Sequence, residues 1–170
     1  MRARSRQSVT ALFLLSMSGI LVGCSDPDPM PYKAPLKLFM SERLRAQDFY
    51  VDLTDEDPRA RPPTKYADAT KGIAYALRHN VRYRKETPVV VATWIFESEK
   101  AARVAKEPMQ GIIADLKKQA MLYKMVPLET KELHGYLLME SSSPALSNVF
   151  ELVARDVQGG IAGVKPEAKK

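Results

Sequence analysis

The feature that most constrains the fold is the run V-V-V-A-T-W-I-F over residues 89–96. Successive side chains of a strand point to opposite faces, so a run that is apolar on both faces predicts a central strand of a sheet. The preceding residues 81–85 alternate apolar or aromatic side chains with arginines. This alternation predicts an edge strand that a tight connection joins to the central one.

Hydrophobic spacing predicts the other elements. We predict helices over residues 36–46 and 64–80, strands over 49–53 and 133–139, and a last helix from Ser143 to Gly159. A further helix is capped by Ser98, has apolar positions as far as Tyr123, and is expected to kink or restart at Pro108.

Taken in chain order, these elements predict one α+β domain over residues 36–158. The central six follow the order β-α-β-β-α-β, with an extra helix at each end. That order matches the ferredoxin-like plan, in which the first and third strands are central and the second and fourth are edges. Such a plan supports many unrelated functions, so it does not identify one.

The amino-terminal residues have the organisation of an export signal. Arg2, Arg4 and Arg6 precede an uncharged, mostly apolar run over residues 9–22, and no acid lies among them. That run is shorter than the ~20 residues that a transmembrane helix needs. We therefore predict a signal peptide over residues 1–23.

The end of this segment, Leu21-Val22-Gly23-Cys24, resembles the lipobox of bacterial lipoproteins. The resemblance implies cleavage between Gly23 and Cys24, diacylation of the Cys24 thiol and acylation of the new amino group. Several acyl chains on one residue give stable anchoring. Under the sorting rule of enteric bacteria, Ser25 implies an outer-membrane lipoprotein facing the periplasm. The outer leaflet of the inner membrane is the alternative.

Both ends of the mature chain are predicted to lie outside the packed domain. Residues 24–35 combine the acylated cysteine with prolines at positions 27, 29, 31 and 35, which predicts a polyproline-like spacer. Residues 159–170 read G-G-I-A-G-V-K-P-E-A-K-K and predict a flexible tail.

Composition limits the chemistry. One cysteine and two histidines are too few for an intramolecular disulfide or a multi-cysteine zinc site. Phosphate-binding glycine loops and nucleophile-elbow motifs are absent from the sequence. We therefore expect no metal, no cofactor and no catalytic residue. His79 is expected at a helix carboxyl end, and His134 is expected on a strand in phase with Tyr136 and Leu138.

The charge distribution provides one candidate binding patch. The window over residues 71–85 is rich in cations, and it would bind lipid headgroups, peptidoglycan carboxylates or an acidic protein face. The alternative is a solvated edge strand whose cations prevent strand pairing. The patch residues are Lys71, Arg78, Arg82, Arg84 and Lys85.

Two further charge features are interpreted without a ligand. The net charge of +6 does not indicate nucleic-acid binding. The predicted signal peptide contributes three of the arginines, and the predicted periplasmic compartment contains little nucleic acid. The acidic residues Asp52, Asp55, Glu56 and Asp57 lack the spacing of a calcium loop, so we expect a solvated loop.

These patterns favour a lipid-anchored periplasmic binding module, an accessory component of a bacterial cell-envelope assembly with a protein partner. The first alternative is a small-ligand sensor or carrier that uses the sheet face with Trp94 and His134, although Trp94 and Phe96 are expected to be core. The second alternative is an envelope enzyme with His79 or His134 as its base.

Overall fold

A five-stranded antiparallel sheet with helices on both faces organises the protein. The computed structural model describes residues 27–51 and 60–168. The predicted α+β class is confirmed. The helices are α1 (Lys33–Ala46), α2 (Ala67–Thr70), α3 (Glu99–Lys118) and α4 (Ser147–Gly160), and the strands are β1 (Phe49–Val51), β2 (Ile73–Tyr83), β3 (Thr87–Phe96), β4 (Leu122–Glu129) and β5 (His134–Ser141).

Strand β3 is central, as predicted. The strand order is β1-β2-β3-β5-β4, and every neighbouring pair is antiparallel. One face of β3 packs with α2 and α3 through Ala92, Trp94 and Phe96. The other face packs with α1 and α4 through residues such as Val91 and Ile95. Burial on both faces explains why this strand is apolar along its whole length.

The ferredoxin-like plan is wrong. That plan places the first strand at the centre, whereas β1 lies at one edge of this sheet and spans three residues. Helix α3 leads from β3 to β4 at the far edge, and β5 then returns between them. The described part of the sheet contains no parallel neighbours, because β5 lies between β3 and β4, the two strands that α3 joins and that run in the same direction.

The predicted helix over residues 64–80 is also wrong. A 3-10 turn at Thr64–Tyr66 and the four-residue α2 are followed by Gly72, whose φ of +68° is a left-handed conformation that favours glycine. From Ile73 onward the chain is β2, and Tyr75, Leu77 and His79 are buried on one face. Pairing with β3 along the whole strand outweighs the local helical spacing.

Helix α3 ends earlier than predicted. The hydroxyl of Ser98 accepts a hydrogen bond from the backbone N–H of Ala101, as expected of an N-cap, and Pro108 lies within a continuous helix. The chain leaves the helix through Ala120, whose φ is +53°. Tyr123, which had extended the helical pattern, therefore lies on β4, a strand that the sequence analysis missed.

The ordered elements extend past both predicted domain limits. A 3-10 turn at Met30–Tyr32 and the start of α1 at Lys33 occupy the second half of the predicted spacer. At the other end Ile161, placed in the predicted tail, is 3% exposed within the core. The N–H of Glu167 donates to the carbonyl of Pro31 at 2.9 Å, so the two ends of the described chain lie side by side.

Several predictions fall outside the described residues. These are the signal peptide, the cleavage site at Gly23 and Cys24, the lipid anchor itself, and the acidic residues 52–57. Of the helices within the described ranges, none combines the length and the apolar character needed to span a bilayer.

Candidate functional site

A cavity of about 200 Å³ lies between α3, residues 60–66 and the sheet. Its floor is the face of β3 that carries Val90, Ala92 and Trp94. Ile112 and Leu116 of α3 form an apolar wall. The side chain of Ala92 ends at Cβ, so it leaves space between α3 and the sheet at this point of the cavity floor.

Trp94 belongs both to the core and to the cavity wall. Its side chain is 3% exposed, as expected for core, and it also lines the cavity. The indole N–H donates to the carbonyl oxygen of Ala60, which is itself buried. This hydrogen bond holds the segment before α2 against the sheet and positions Arg61 at the rim of the cavity.

A network centred on Asp115 holds the same segment to α3. The Oδ2 atom of Asp115 accepts hydrogen bonds from the ammonium group of Lys65 and the hydroxyl of Tyr66, and Lys118 Nζ lies 3.5 Å from Oδ1. These contacts, led by the one with Lys65, lower the pKa of Asp115 to about 2. Gly111 permits the approach, since a Cβ there would lie 2.7 Å from the Tyr66 ring.

Two opposite charges flank the cavity floor without pairing. Arg78 lies opposite Ala92 in the β2–β3 register, and Glu140 lies opposite Val90 in the β3–β5 register. Arg78 Nε donates to Asn80 Oδ1 at 3.0 Å. Within residues 27–51 and 60–168 the carboxylate of Glu140 has no ion-pair or hydrogen-bond partner, and burial raises its pKa while Arg78 opposes that shift.

The five cations predicted as one patch are divided by the structure. Lys71 precedes β2, Arg78 lines the cavity, and Arg82 is exposed near the opposite end of the strand. Arg84 and Lys85 lie in the turn between β2 and β3. The patch is not contiguous, because the eleven residues of β2 separate Lys71 from the turn by roughly 36 Å at ~3.3 Å per residue.

Residues 81–85 were predicted to form an edge strand, but the end of β2 that carries these cations does not lie at the edge of the sheet. β1 pairs with β2 over residues 81–83, so the outer side of this end of β2 is covered. The exposed group at this end of the sheet comprises Tyr50, Arg82, Arg84 and Lys85, which we call the hairpin-end surface. Tyr50 is 51% exposed, and Lys85 Nζ lies 5.6 Å from the centroid of its ring.

No family model, no curated protein and no solved structure matches the chain. The site is therefore interpreted from its own residues. In the part of the chain that the structure describes, no group of three or more histidine, cysteine, aspartate or glutamate side chains is arranged to hold a metal ion.

The two histidines lie apart from the cavity. His79 was predicted at the end of a helix, but it lies on β2 on the face opposite the cavity and is 0% exposed. Its ring nitrogens have no hydrogen-bond partner among the described residues, and burial lowers its pKa to about 4. His134 is half-buried on β5, in phase with Tyr136 and Leu138 as predicted, but it does not line the cavity.

Apart from Arg78, which was assigned to the cationic patch, sequence reasoning missed the polar residues of the cavity. Two of them could have been recognised from the sequence. Asp115 lies between Ile112 and Leu116 on the buried side of an amphipathic helix. Glu140 lies two residues beyond Leu138 on a strand whose neighbouring positions are buried. A carboxylate at an otherwise apolar position indicates either a paired charge or a binding site.

Proposed function

We propose that this chain is a lipid-anchored binding module of a bacterial cell envelope. Acylated Cys24 would hold it in the outer membrane, with the folded domain in the periplasm as an accessory component of an envelope assembly. The lipobox resemblance supports the anchor. The observation that carries the binding role is the hairpin-end surface, where an exposed tyrosine is surrounded by three cations.

The composition of this surface fits a protein partner. Tyrosine and arginine are enriched among the residues that dominate binding energy at interfaces. Arg84 stacks its guanidinium 5.1 Å from the ring centroid of Tyr83, and its φ of +49° fixes the direction of the turn. Asp48, 4.0 Å from Arg84, is the one acid in contact with these cations among the described residues. The surface is therefore positive and would favour an acidic face on the partner.

The anchor is tested by membrane fractionation of the wild-type chain and the Cys24→Ala variant. We expect the wild type to float with outer membrane and the variant to remain uncleaved or leave that fraction. Flotation of both proteins with the same membrane would contradict the anchor.

The surface is tested by charge reversal at Arg82, Arg84 and Lys85 to glutamate. The matched control reverses three exposed cations elsewhere, Lys100, Lys106 and Lys131. In co-purification from cells, wild type and control should recover the same partner, and the surface variant should lose it. Equal recovery from all three proteins at low salt would remove the hairpin-end surface from the proposal.

A second candidate function is a small-ligand sensor or carrier, which the cavity beside Trp94 favours. Trp94 is the one tryptophan of the chain, so its fluorescence reports on this cavity alone. A ligand that enters the cavity should change the emission in a saturable way. A module that binds only proteins through the hairpin-end surface should show no response to small molecules.

A further inference from the structure

We propose that the cavity beside Trp94 binds a small zwitterion, an α-amino acid with an apolar side chain. Its ammonium group would lie at Glu140, its carboxylate at Arg78, and its side chain against the wall formed by α3. This inference rests on the second function proposed above, and it names the class of ligand.

Size and apolar surface limit the ligand first. The cavity volume of about 200 Å³ lies below the ~300–1,000 Å³ of pockets that hold drug-sized molecules. Ile112, Leu116 and Trp94 supply hydrocarbon and an aromatic face. A molecule with one short apolar side chain therefore suits the space, and a nucleotide or an extended lipid does not.

Most of the polar groups at the cavity are already satisfied. Asp115 forms an ion pair with Lys65 and accepts a hydrogen bond from Tyr66, and the indole N–H of Trp94 is bonded to a carbonyl oxygen. Among the residues that the structure describes, the charges left for a ligand are the guanidinium groups of Arg61 and Arg78 and the carboxylate of Glu140. A ligand is therefore selected by two cations and one anion.

The positions of these charges match a zwitterion. Arg78 and Glu140 lie on strands that flank β3 and are offset by two residues along it, so their backbones are roughly 12 Å apart, given ~4.8 Å between neighbouring strands and ~3.3 Å per residue. No ion pair joins them among the described residues, and Val90 and Ala92 occupy the floor between them. A molecule that carries both charges on one carbon atom fills this gap and pairs with each side.

Ligands with a single charge fit less well. A simple carboxylate would pair with Arg78 but would face the carboxylate of Glu140. A simple amine would pair with Glu140 but would face Arg78 and Arg61. No described residue forms an ion pair with the partly buried carboxylate of Glu140, and the ammonium group of an amino acid would supply a directly paired counter-charge.

Four matched probes test the proposal on the full folded domain. All four share the leucine side chain. Leucine carries both charges, and N-acetyl-leucine carries only the negative one. Leucinamide carries only the positive charge, and N-acetyl-leucinamide carries neither. Binding is followed by Trp94 fluorescence and by calorimetry. We expect leucine to bind at least about tenfold more tightly than each derivative, as the loss of one charge pair in a desolvated site predicts.

Two variants assign each charge. Glu140→Gln should abolish the advantage of leucine over N-acetyl-leucine, and Arg78→Gln should abolish its advantage over leucinamide. Arg45→Gln, an exposed arginine of α1 outside the cavity, and Glu129→Gln on β4 are the matched controls and should bind leucine as the wild type does. Circular dichroism of each variant establishes that it is folded.

The outcomes separate this inference from the function on which it rests. Saturable binding of N-acetyl-leucinamide as tight as that of leucine would keep the ligand-carrier function and overturn the zwitterion. Alanine and phenylalanine are included so that side-chain size does not decide the result. If none of the three amino acids binds at millimolar concentration to the folded wild type, the inference is wrong.

Discussion

The indole N–H of Trp94 donates a hydrogen bond to the backbone carbonyl of Ala60, 34 residues earlier in the chain. This contact joins the central strand to the segment that covers the cavity. Trp94→Phe would leave the buried carbonyl of Ala60 without a partner, so we expect a loss of about 1–3 kcal/mol in the free energy of unfolding.

Amide hydrogen exchange would locate that effect. Residues 60–66 should exchange faster in the Trp94→Phe variant. Phe96→Leu, which reduces the same apolar cluster without removing a hydrogen bond, should lower global stability and leave the relative protection of residues 60–66 unchanged. Equal local protection in both variants would show that the hydrogen bond does not hold the segment.

Two glycines should respond in opposite directions to alanine. A Cβ at Gly135 would lie 2.1 Å from the backbone oxygen of Trp94, which cannot move without disturbing the β3–β5 pairing. We expect Gly135→Ala to cost about 1–3 kcal/mol or more. Gly159, near the end of α4, has no atom within 4 Å of its added Cβ, so Gly159→Ala should stabilise by up to ~1 kcal/mol. Urea denaturation measures both, and similar effects would refute the packing argument.

His79 should make stability depend on pH. Its pKa in the folded protein is about 4, below its ordinary value of 6.5, mainly because of burial and also because of the charges of Lys37 and Arg45. Above pH 6.5 the residue is neutral in both states and contributes nothing. As the pH falls from 6.5 to 4, the unfolded chain binds the proton first, so stability should fall by about 3 kcal/mol.

The His79→Leu variant isolates this contribution. Urea denaturation between pH 7 and pH 4 should give a flatter curve for His79→Leu than for the wild type, whereas His134→Leu, which leaves His79 in place, should keep the wild-type slope. The raised pKa of Glu140 acts in the opposite direction, since the folded protein binds that proton before the unfolded chain does as the pH falls. The contribution of His79 is therefore obtained by comparing the pH dependence of the wild type with that of His79→Leu, because the wild-type curve alone combines His79 and Glu140.

The sequence predicted the elements whose evidence is local. Residues 89–96 are apolar on both faces, Ser98 caps the helix that follows, and residues 134–141 and 147–160 show clear strand and helix patterns. All four were placed with the correct type. Their burial in the structure follows directly from the spacing of their apolar residues.

The errors arose where distant residues decide the structure. Residues 73–80 fit a helical spacing and a strand alternation equally well, and the choice depends on pairing with β3. The sheet order could not be obtained without β4. The cavity requires Arg78, Asp115 and Glu140 to meet from three separate elements, which no spacing along the chain encodes.

The network at Asp115 should hold residues 60–66 in place while contributing little to the free energy of unfolding of the whole domain. Lys65 is 60% exposed, so solvent screens much of its ion pair with Asp115, and Asp115→Asn should lower global stability only slightly. Because the pKa of Asp115 is depressed, the contribution is present above its ordinary value and is lost as the pH falls toward 2.

Hydrogen exchange tests this local role. Residues 60–66 should open more often in Asp115→Asn. They should be unaffected in the matched control Glu99→Gln, which breaks an exposed ion pair with Arg103 at the other end of α3. Unchanged exchange in Asp115→Asn would contradict the proposed tie between this segment and the helix.

The hydrogen bond between Glu167 and Pro31 also matters for how this protein can be labelled. A purification tag or fluorescent protein fused at the carboxyl terminus would start beside the arm that leads to Cys24. The hairpin-end surface lies beyond the other end of α1, about 20 Å away at ~1.5 Å per helical residue. If Cys24 anchors the chain as we propose, a carboxyl-terminal fusion would crowd the bilayer side and leave the hairpin-end surface open, so it would suit capture experiments better than tests of membrane attachment.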